Sequence, residues 1–279
     1  MKTSFEIKKA LNNNVVIART QENNEVVLTG KGIGFGKQTG DYIQQGNVDK
    51  FFMLVDKNEQ EQYKQLVGEI DESFIAVMND VISLIEERLN AKMDEHIHIG
   101  LTDHLHFALK RIKQGLDLKN PFLVETQTMY PTEYTVAEQV IQLISQKLSV
   151  LVPEGEIGFV ALHIHSAISH KSISEINKFS QLISKLISLI EDELSVTIDR
   201  KSIDYLRLVR HLRNAIERGV NEEQVEAHEK LAKVLKEEYP LCYNLSWKLV
   251  KIMQQTLKKQ FADTETVYLT MHLQRLAAK

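Results

Sequence analysis

The chain has 279 residues, 34 Lys or Arg against 38 Asp or Glu, a net charge of −4 and 43% apolar residues, the composition of an ordinary globular protein long enough for more than one module. That balance excludes disorder and collagen and argues against wholesale coating of nucleic acid, while leaving room for a small local site. No apolar run exceeds the five residues of 51–55, far short of the roughly 18 that a membrane span needs, and the first residues lack the apolar stretch of a signal peptide, so a cytoplasmic location is expected.

The first sixty residues differ from the rest. Six of the twelve glycines (Gly30, Gly32, Gly34, Gly36, Gly40 and Gly46) fall there. Short extended runs at 15–18, 26–29, 33–35 and 51–55, broken by Asn12-Asn13-Asn14, Glu22-Asn23-Asn24 and Thr39-Gly40-Asp41, predict a small antiparallel meander of about four strands. The charged stretch 56–64 suits a solvated linker or a first helical turn, which puts a boundary near residue 60. Beyond it the period becomes helical: Ile70, Phe74, Val77, Met78, Val81, Ile82, Ile85 and Leu89 recur at spacings of three and four. The remainder reads as helix, with Pro121, Pro131, Pro153 and Pro240 expected in loops and the single Cys242 in the core.

The helical part repeats itself. Ile82-Ser-Leu-Ile-Glu86 returns as Ile187-Ser-Leu-Ile-Glu191, and Leu101, His104, Leu105, Ala108 and Arg111 return as Leu208, His211, Leu212, Ala215 and Arg218. Tyr130-Pro131 and Tyr134 return as Tyr239-Pro240 and Tyr243, and Glu156, Phe159 and His163 as Glu265, Tyr268 and His272. The offset drifts from 105 to 109, as small loop insertions produce. Two homologous all-α domains, 61–170 and 171–279, are expected.

Each repeat keeps two histidines, His104 with His163 and His211 with His272. A lone histidine on an apolar face is ordinarily a hydrogen-bonded core residue, and recurrence at matched positions weakens that reading. Imidazole is neutral and nucleophilic near pH 7, so it can accept a phosphoryl group, which replaces a neutral ring by nearly two negative charges. A metal site is the competing reading, from the pairs His96-x-His98, His104-x-His106 and His163-x-His165. Residues two apart on a helix point about 200° apart and cannot share one ion, and the second repeat has Arg213 and Gln274 where the first has His106 and His165.

The segment Gly30-Lys-Gly-Ile-Gly-Phe-Gly-Lys37 satisfies neither the dinucleotide fingerprint nor the nucleotide P-loop spacing. As a bare pattern it is a bulged edge strand, or a surface where RNA backbone approaches closely, lysines meet phosphate and a ring stacks on a base.

LNNNVV at 11–16 followed by GKGIGFGK at 30–37 resembles the co-antiterminator RNA-binding domain of the BglG/SacY family of transcriptional antiterminators. The segments LTDHLHFAL, GEIGFVALHIHSA, LRLVRHLRNAIER and VYLTMHLQRL resemble that family's two PTS regulation domains, and EHIHIGLTDH, KNPFL and EYPLCYN its glucose-type branch. The resemblance spans essentially the whole chain in the family's order. It implies a non-enzymatic, homodimeric protein with an N-terminal four-stranded antiparallel sheet (1–60) that binds a hairpin in leader mRNA and prevents an overlapping terminator from forming. It also implies helical-bundle regulation domains whose histidines are phosphorylated by a sugar permease of the phosphotransferase system, an enzyme II for glucose, and in many members by HPr. No cofactor is implied. By residue match the phosphoacceptors are His104, His163, His211 and His272, and the RNA contacts are Lys9, Asn14, Gly30, Lys31, Phe35 and Gly36. Many relatives have arginine where Lys31 stands and a polar amide where Gly36 stands, which removes one planar fork and one hydrogen-bonding side chain here. A helical metal-dependent phosphohydrolase, and a DNA-binding activator with the same regulation domains, are the alternatives. The second requires a helix-turn-helix near the N-terminus, where the residues read as strands.

Overall fold

The computed structural model describes residues 4–53, 57–91, 93–116, 118–223 and 229–278. Strands β1 (Ser4–Ala10), β2 (Val15–Arg19), β3 (Glu25–Thr29), β4 (Tyr42–Gln44) and β5 (Lys50–Phe52) precede helices α1 (Lys57–Glu69), α2 (Glu72–Leu89), α3 (Ile97–Lys113), α4 (Leu123–Met129), α5 (Pro131–Leu148) and α6 (Gly155–Ser169). Helices α7 (Ile173–Leu194), α8 (Ile203–Asn221), α9 (Glu229–Glu238), α10 (Pro240–Leu257) and α11 (Thr264–Ala277) complete the chain. Among the described residues no helix is long and apolar enough to cross a membrane.

The sheet is antiparallel with order β4-β1-β2-β3-β5. It has five strands rather than four, because two three-residue edge strands flank a central meander. β1, not among the expected strands, alternates only briefly: Phe5 and Ile7 are buried on either side of exposed Glu6 before two lysines and a register shift between Ile7 and Lys9. One face packs Phe5, Ile7, Val16, Ala18, Val26, Leu28, Ile33 and Ile43 together.

The expected strand at 33–35 is instead a run of tight turns. Ile33, Phe35 and Lys37 donate backbone N–H groups to the carbonyls of Gly30, Gly32 and Gly34, each three residues back. Two physical features prevent an extended conformation. Gly32 and Gly36 hold φ of +68° and +65°, where a Cβ is strained. Gly34 lies so close to the Asn12 carbonyl that a Cβ there would sit 2.3 Å from the oxygen. Of the expected strand at 51–55, residues 54 and 55 lie outside the described residues.

The chain forms two compact units. One contains the sheet with 1–120 and 132–171, the other Pro121–Pro131 with Ser172–Lys279. In the first, the stretch 57–64, expected as a linker or a first helical turn, is the start of α1, a helix anchored by buried Tyr63, Leu66 and Val67. Helix α2 buries Phe74, Val77, Met78, Val81, Ile82 and Ile85, the apolar stripe read from the sequence. Its polar stripe meets the sheet domain at seven-residue intervals. Glu72 accepts from the Asn13 backbone N–H (3.1 Å), Asn79 pairs with the Thr29 hydroxyl (3.2 Å), and Glu86 pairs with Lys50.

In the second unit α7 opens with a reciprocal capping box between Ser172 and Glu175. Pro131 and Pro240, expected in loops, are the first residues of α5 and α10. Proline is suited to that position because its missing N–H would be unpaired there and its φ is already helical. Short helix α4 belongs to this unit: buried Glu125 accepts from the Tyr205 hydroxyl (2.7 Å), and Arg213 of α8 donates to the Met129 carbonyl while its guanidinium lies 5.2 Å from the Tyr130 ring centre.

Candidate functional sites

In the first helical repeat α3 and α6 each present one face on which residues seven apart converge. His104 and Arg111 come from α3, and Glu156, Phe159 and His163 from α6. Glu156 is 2% exposed and is held from both sides, by His104 Nε2 at 2.9 Å and Arg111 Nη2 at 3.0 Å. With the carboxylate accepting, Nε2 carries a proton, so the lone pair of the neutral ring is on Nδ1. His163 lies beside it, ring centres 5.0 Å apart, and Phe159 closes the other side at 5.6 Å. Burial, reinforced by the charges of His104 and His96, pushes the His163 imidazole down to about 3, so it is neutral through the physiological range.

The second domain builds the same corner differently. Arg218 donates both Nε and Nη2 to Glu265, at 2.7 and 2.6 Å, a bidentate fork on a carboxylate 1% exposed. His211 and His272 stack face to face with ring centres 3.3 Å apart. Burial, then His211 and Arg275, push His272 down to about 4; burial, then Arg210, Arg218 and Arg207, lower His211.

The neighbours two residues away go elsewhere. His106 packs against Phe74, and His165 Nδ1 pairs with Glu133 at 2.8 Å. The rings of His104 and His106, and those of His163 and His165, therefore diverge, as helical geometry requires. The glutamate and arginine of each corner were visible in the sequence only as recurring positions (Glu156 with Glu265, Arg111 with Arg218). Their pairing required the fold.

On the sheet domain, Gly30, Lys31, Phe35 and Gly36 share the loop after β3, and Asn14 of the β1–β2 turn lies against it. Asn14 braces it: its Oδ1 accepts from Gly32 N–H (2.7 Å) and its carbonyl accepts from Gly30 N–H (3.0 Å). Gly30 is a point of close approach, since a Cβ there would lie 2.7 Å from the Asn47 carbonyl oxygen. Lys31 and Gly36 are exposed and Phe35 is 74% exposed, on the outer side of the loop. Lys9 is exposed on β1, where its charge is the least of four influences on Glu61, after the hydrogen bond and the charge of Lys64 and burial. Beside the loop lies a cavity of about 310 Å³ whose lining includes Lys31, Lys37, Tyr42 and Asn47. Lys37 and Tyr42 were not singled out from the sequence, although Lys37 closes the GKGIGFGK motif.

The CAT RNA binding domain model matches residues 5–61, and the PRD domain model matches twice, at 79–167 and 184–276. The chain is 53% identical to the PtsGHI operon antiterminator of Bacillus subtilis (strain 168), covering 100% of this chain and 99% of that protein. It is 39% identical to the GlcA/glcB genes antiterminator of Staphylococcus carnosus (strain TM300), covering 97% of this chain and 95% of that one. The crystal structure of GlcT CAT-PRDI matches with a TM-score of 0.55 and 54% identity, covering 59% of this chain and 98% of that chain.

Proposed function

The chain belongs to the family of transcriptional antiterminators built from a CAT RNA-binding domain and two PRD domains regulated through the phosphotransferase system, and from that premise we propose the following division of labour. Residues 1–60 bind a hairpin in the leader mRNA of a glucose phosphotransferase operon, as one half of a homodimer in the cytoplasm. Lys9, Asn14, Gly30, Lys31, Phe35 and Gly36 make the contacts: lysines to phosphate, exposed Phe35 to an unpaired base, and glycine backbone where RNA must approach closely. Asn14 acts chiefly by holding the loop.

Residues 61–170 and 171–279 are the two switches. His104 and His163 are the acceptors for a glucose-type enzyme II, and His211 and His272 for HPr. The observation that supports this most is the His104–Glu156–Arg111 arrangement. Glu156 fixes the proton on Nε2 and leaves the Nδ1 lone pair to attack phosphorus. The donor's bond to phosphorus breaks as the new N–P bond forms, and the donor side chain leaves with the bonding electron pair. The protein is the substrate of this transfer and catalyses no reaction of its own.

Incubating the purified chain with phosphorylated enzyme II or HPr and mapping phosphohistidine by mass spectrometry tests the assignment. Modification of His104 or His163 by the permease is the expected result. Phosphate found only on His106, His165 or His170 overturns it.

A further inference from the structure

The two histidine corners differ most in what surrounds them. In the second domain a cavity of about 280 Å³ lies beside His211 and His272 and is lined on its polar side by Arg207, Arg210, Arg275 and Asp204. Arg207 and Arg210 precede His211 by four and one residues on α8, and Arg275 follows His272 by three on α11, so three guanidinium groups border one opening. At the offsets that align the repeats, the first domain has Gly100, Asp103 and Ser166 in these places. Three positive charges in one domain therefore replace a single negative one in the other, around histidine pairs that are otherwise matched.

Two of these arginines have no structural partner among the described residues, and the third has a long one. Arg218, Arg200 and Arg213 are each tied to a glutamate at 2.7 Å or less. Arg207 and Arg210 make no ion pair or hydrogen bond among the described residues, and the acid in the lining, Asp204, is 3.8 Å from Arg275. The positive field reaches the histidines: after burial, Arg210, Arg218 and Arg207 lower His211, while Arg275 follows burial and His211 in lowering His272.

We infer that the second regulation domain contains a non-covalent site for a phosphate dianion, free or carried on a small sugar, in the cavity bordered by Arg207, Arg210 and Arg275. Guanidinium forks approaching from two helices match a tetrahedral oxyanion better than a flat carboxylate, and the cavity has room for more than the phosphate group. A phosphoryl group on His211 or His272 would use the same forks, so ligand and modification exclude each other. That corollary rests on the functional reading above; the binding does not.

The test is calorimetric titration of the full-length, unphosphorylated chain with inorganic phosphate and, separately, glucose 6-phosphate, in chloride buffer at constant ionic strength. The comparison protein is R207G/R210D/R275S, which restores the residues of the first domain at surface positions. Binding of either anion that weakens at least tenfold in the variant supports the site. Preference for inorganic phosphate assigns it to the free ion, and preference for glucose 6-phosphate to a sugar ester. Superimposable curves for the two proteins, or no heat from either, overturn the inference. Should the variant fail to fold, the wild-type chain decides through its arginine Nε–H resonances. Shifts confined to Arg207, Arg210 and Arg275 on adding phosphate support the site, and their absence overturns it.

Discussion

Replacing Glu156 by glutamine separates the structural and chemical roles of the first histidine corner. The carboxylate is 2% exposed and lies 3.0 Å from Arg111 Nη2. At that distance and an effective dielectric of about 20, the Coulomb attraction is about 5 kcal/mol, which is a ceiling. Glutamine keeps the volume and one acceptor oxygen but leaves the guanidinium uncompensated. Arg111 retains 27% of its side-chain exposure and can turn toward water, so the expected net loss is about 2–4 kcal/mol, at the low end for breaking a buried pair. In a domain of this size that lowers Tm by roughly 5 to 15 °C. Glu265→Gln should cost a similar amount, because Arg218 loses a two-bond fork. The two variants differ in chemistry. Among the described residues Glu156 accepts from both His104 and Arg111, whereas Glu265 accepts only from Arg218, so the first variant removes the carboxylate that orients a histidine ring and the second does not. Scanning calorimetry supplies the stability and phosphohistidine mapping the transfer rate. A Glu156→Gln protein with wild-type Tm and wild-type phosphorylation of His104 would refute both parts of the argument.

Three further outcomes are expected. Gly219→Ala places a Cβ 2.4 Å from the ring of buried Phe261, and urea unfolding should register a loss of about 1–3 kcal/mol, with no loss meaning that the ring can move aside. His163 and His272 bind protons less readily folded than unfolded, so their contribution is complete above the unfolded pKa of about 6.5 and falls away as pH drops toward about 3 and about 4. Each contributes a slope of up to about 1.4 kcal/mol per pH unit in that window, and equal stability at pH 7 and pH 5 would contradict the burial of both rings. Phe35→Ala should leave folding unchanged, since the ring is 74% exposed, yet weaken binding of the full chain to its leader hairpin by about 1–3 kcal/mol, measured by filter binding. Unchanged affinity would remove Phe35 from the interface.

How far the sequence could be read depends on the range of the forces involved. The stripe Phe74 to Ile85 is a local pattern, and α2 follows it closely. The corner residues were exposed by duplication, since Glu156 and Arg111 recur together with the histidines. The Gly30–Lys37 segment looked extended because alternation is blind to the sign of φ, and only the positive values at Gly32 and Gly36 reveal the turns. Strand β1 has two buried apolar residues and draws its stability from neighbours on both sides, a non-local cause. The Glu125–Tyr205 hydrogen bond joins residues 80 apart. No window of sequence around 121–131 signals that this segment packs with helices made later, and the three arginines beside His211 are scattered over two helices of ordinary charged appearance.

That packing of 121–131 sets an order of events during synthesis. The segment emerges from the ribosome well before α7 and α8, whose Tyr205 and Arg213 receive it. At about 5–20 residues per second, the ninety residues to the end of α8 take roughly 5 to 20 s to appear. Throughout that interval Glu125 lacks its hydroxyl donor, and the apolar side of Met129 has no cover from its own unit. The first histidine corner, made by α3 and α6, can close as soon as Ser169 is out, whereas the second unit cannot be finished until the chain is nearly complete. The two histidine corners are thus completed in sequence in a newborn molecule, the first while α4 still waits for the helices that receive it.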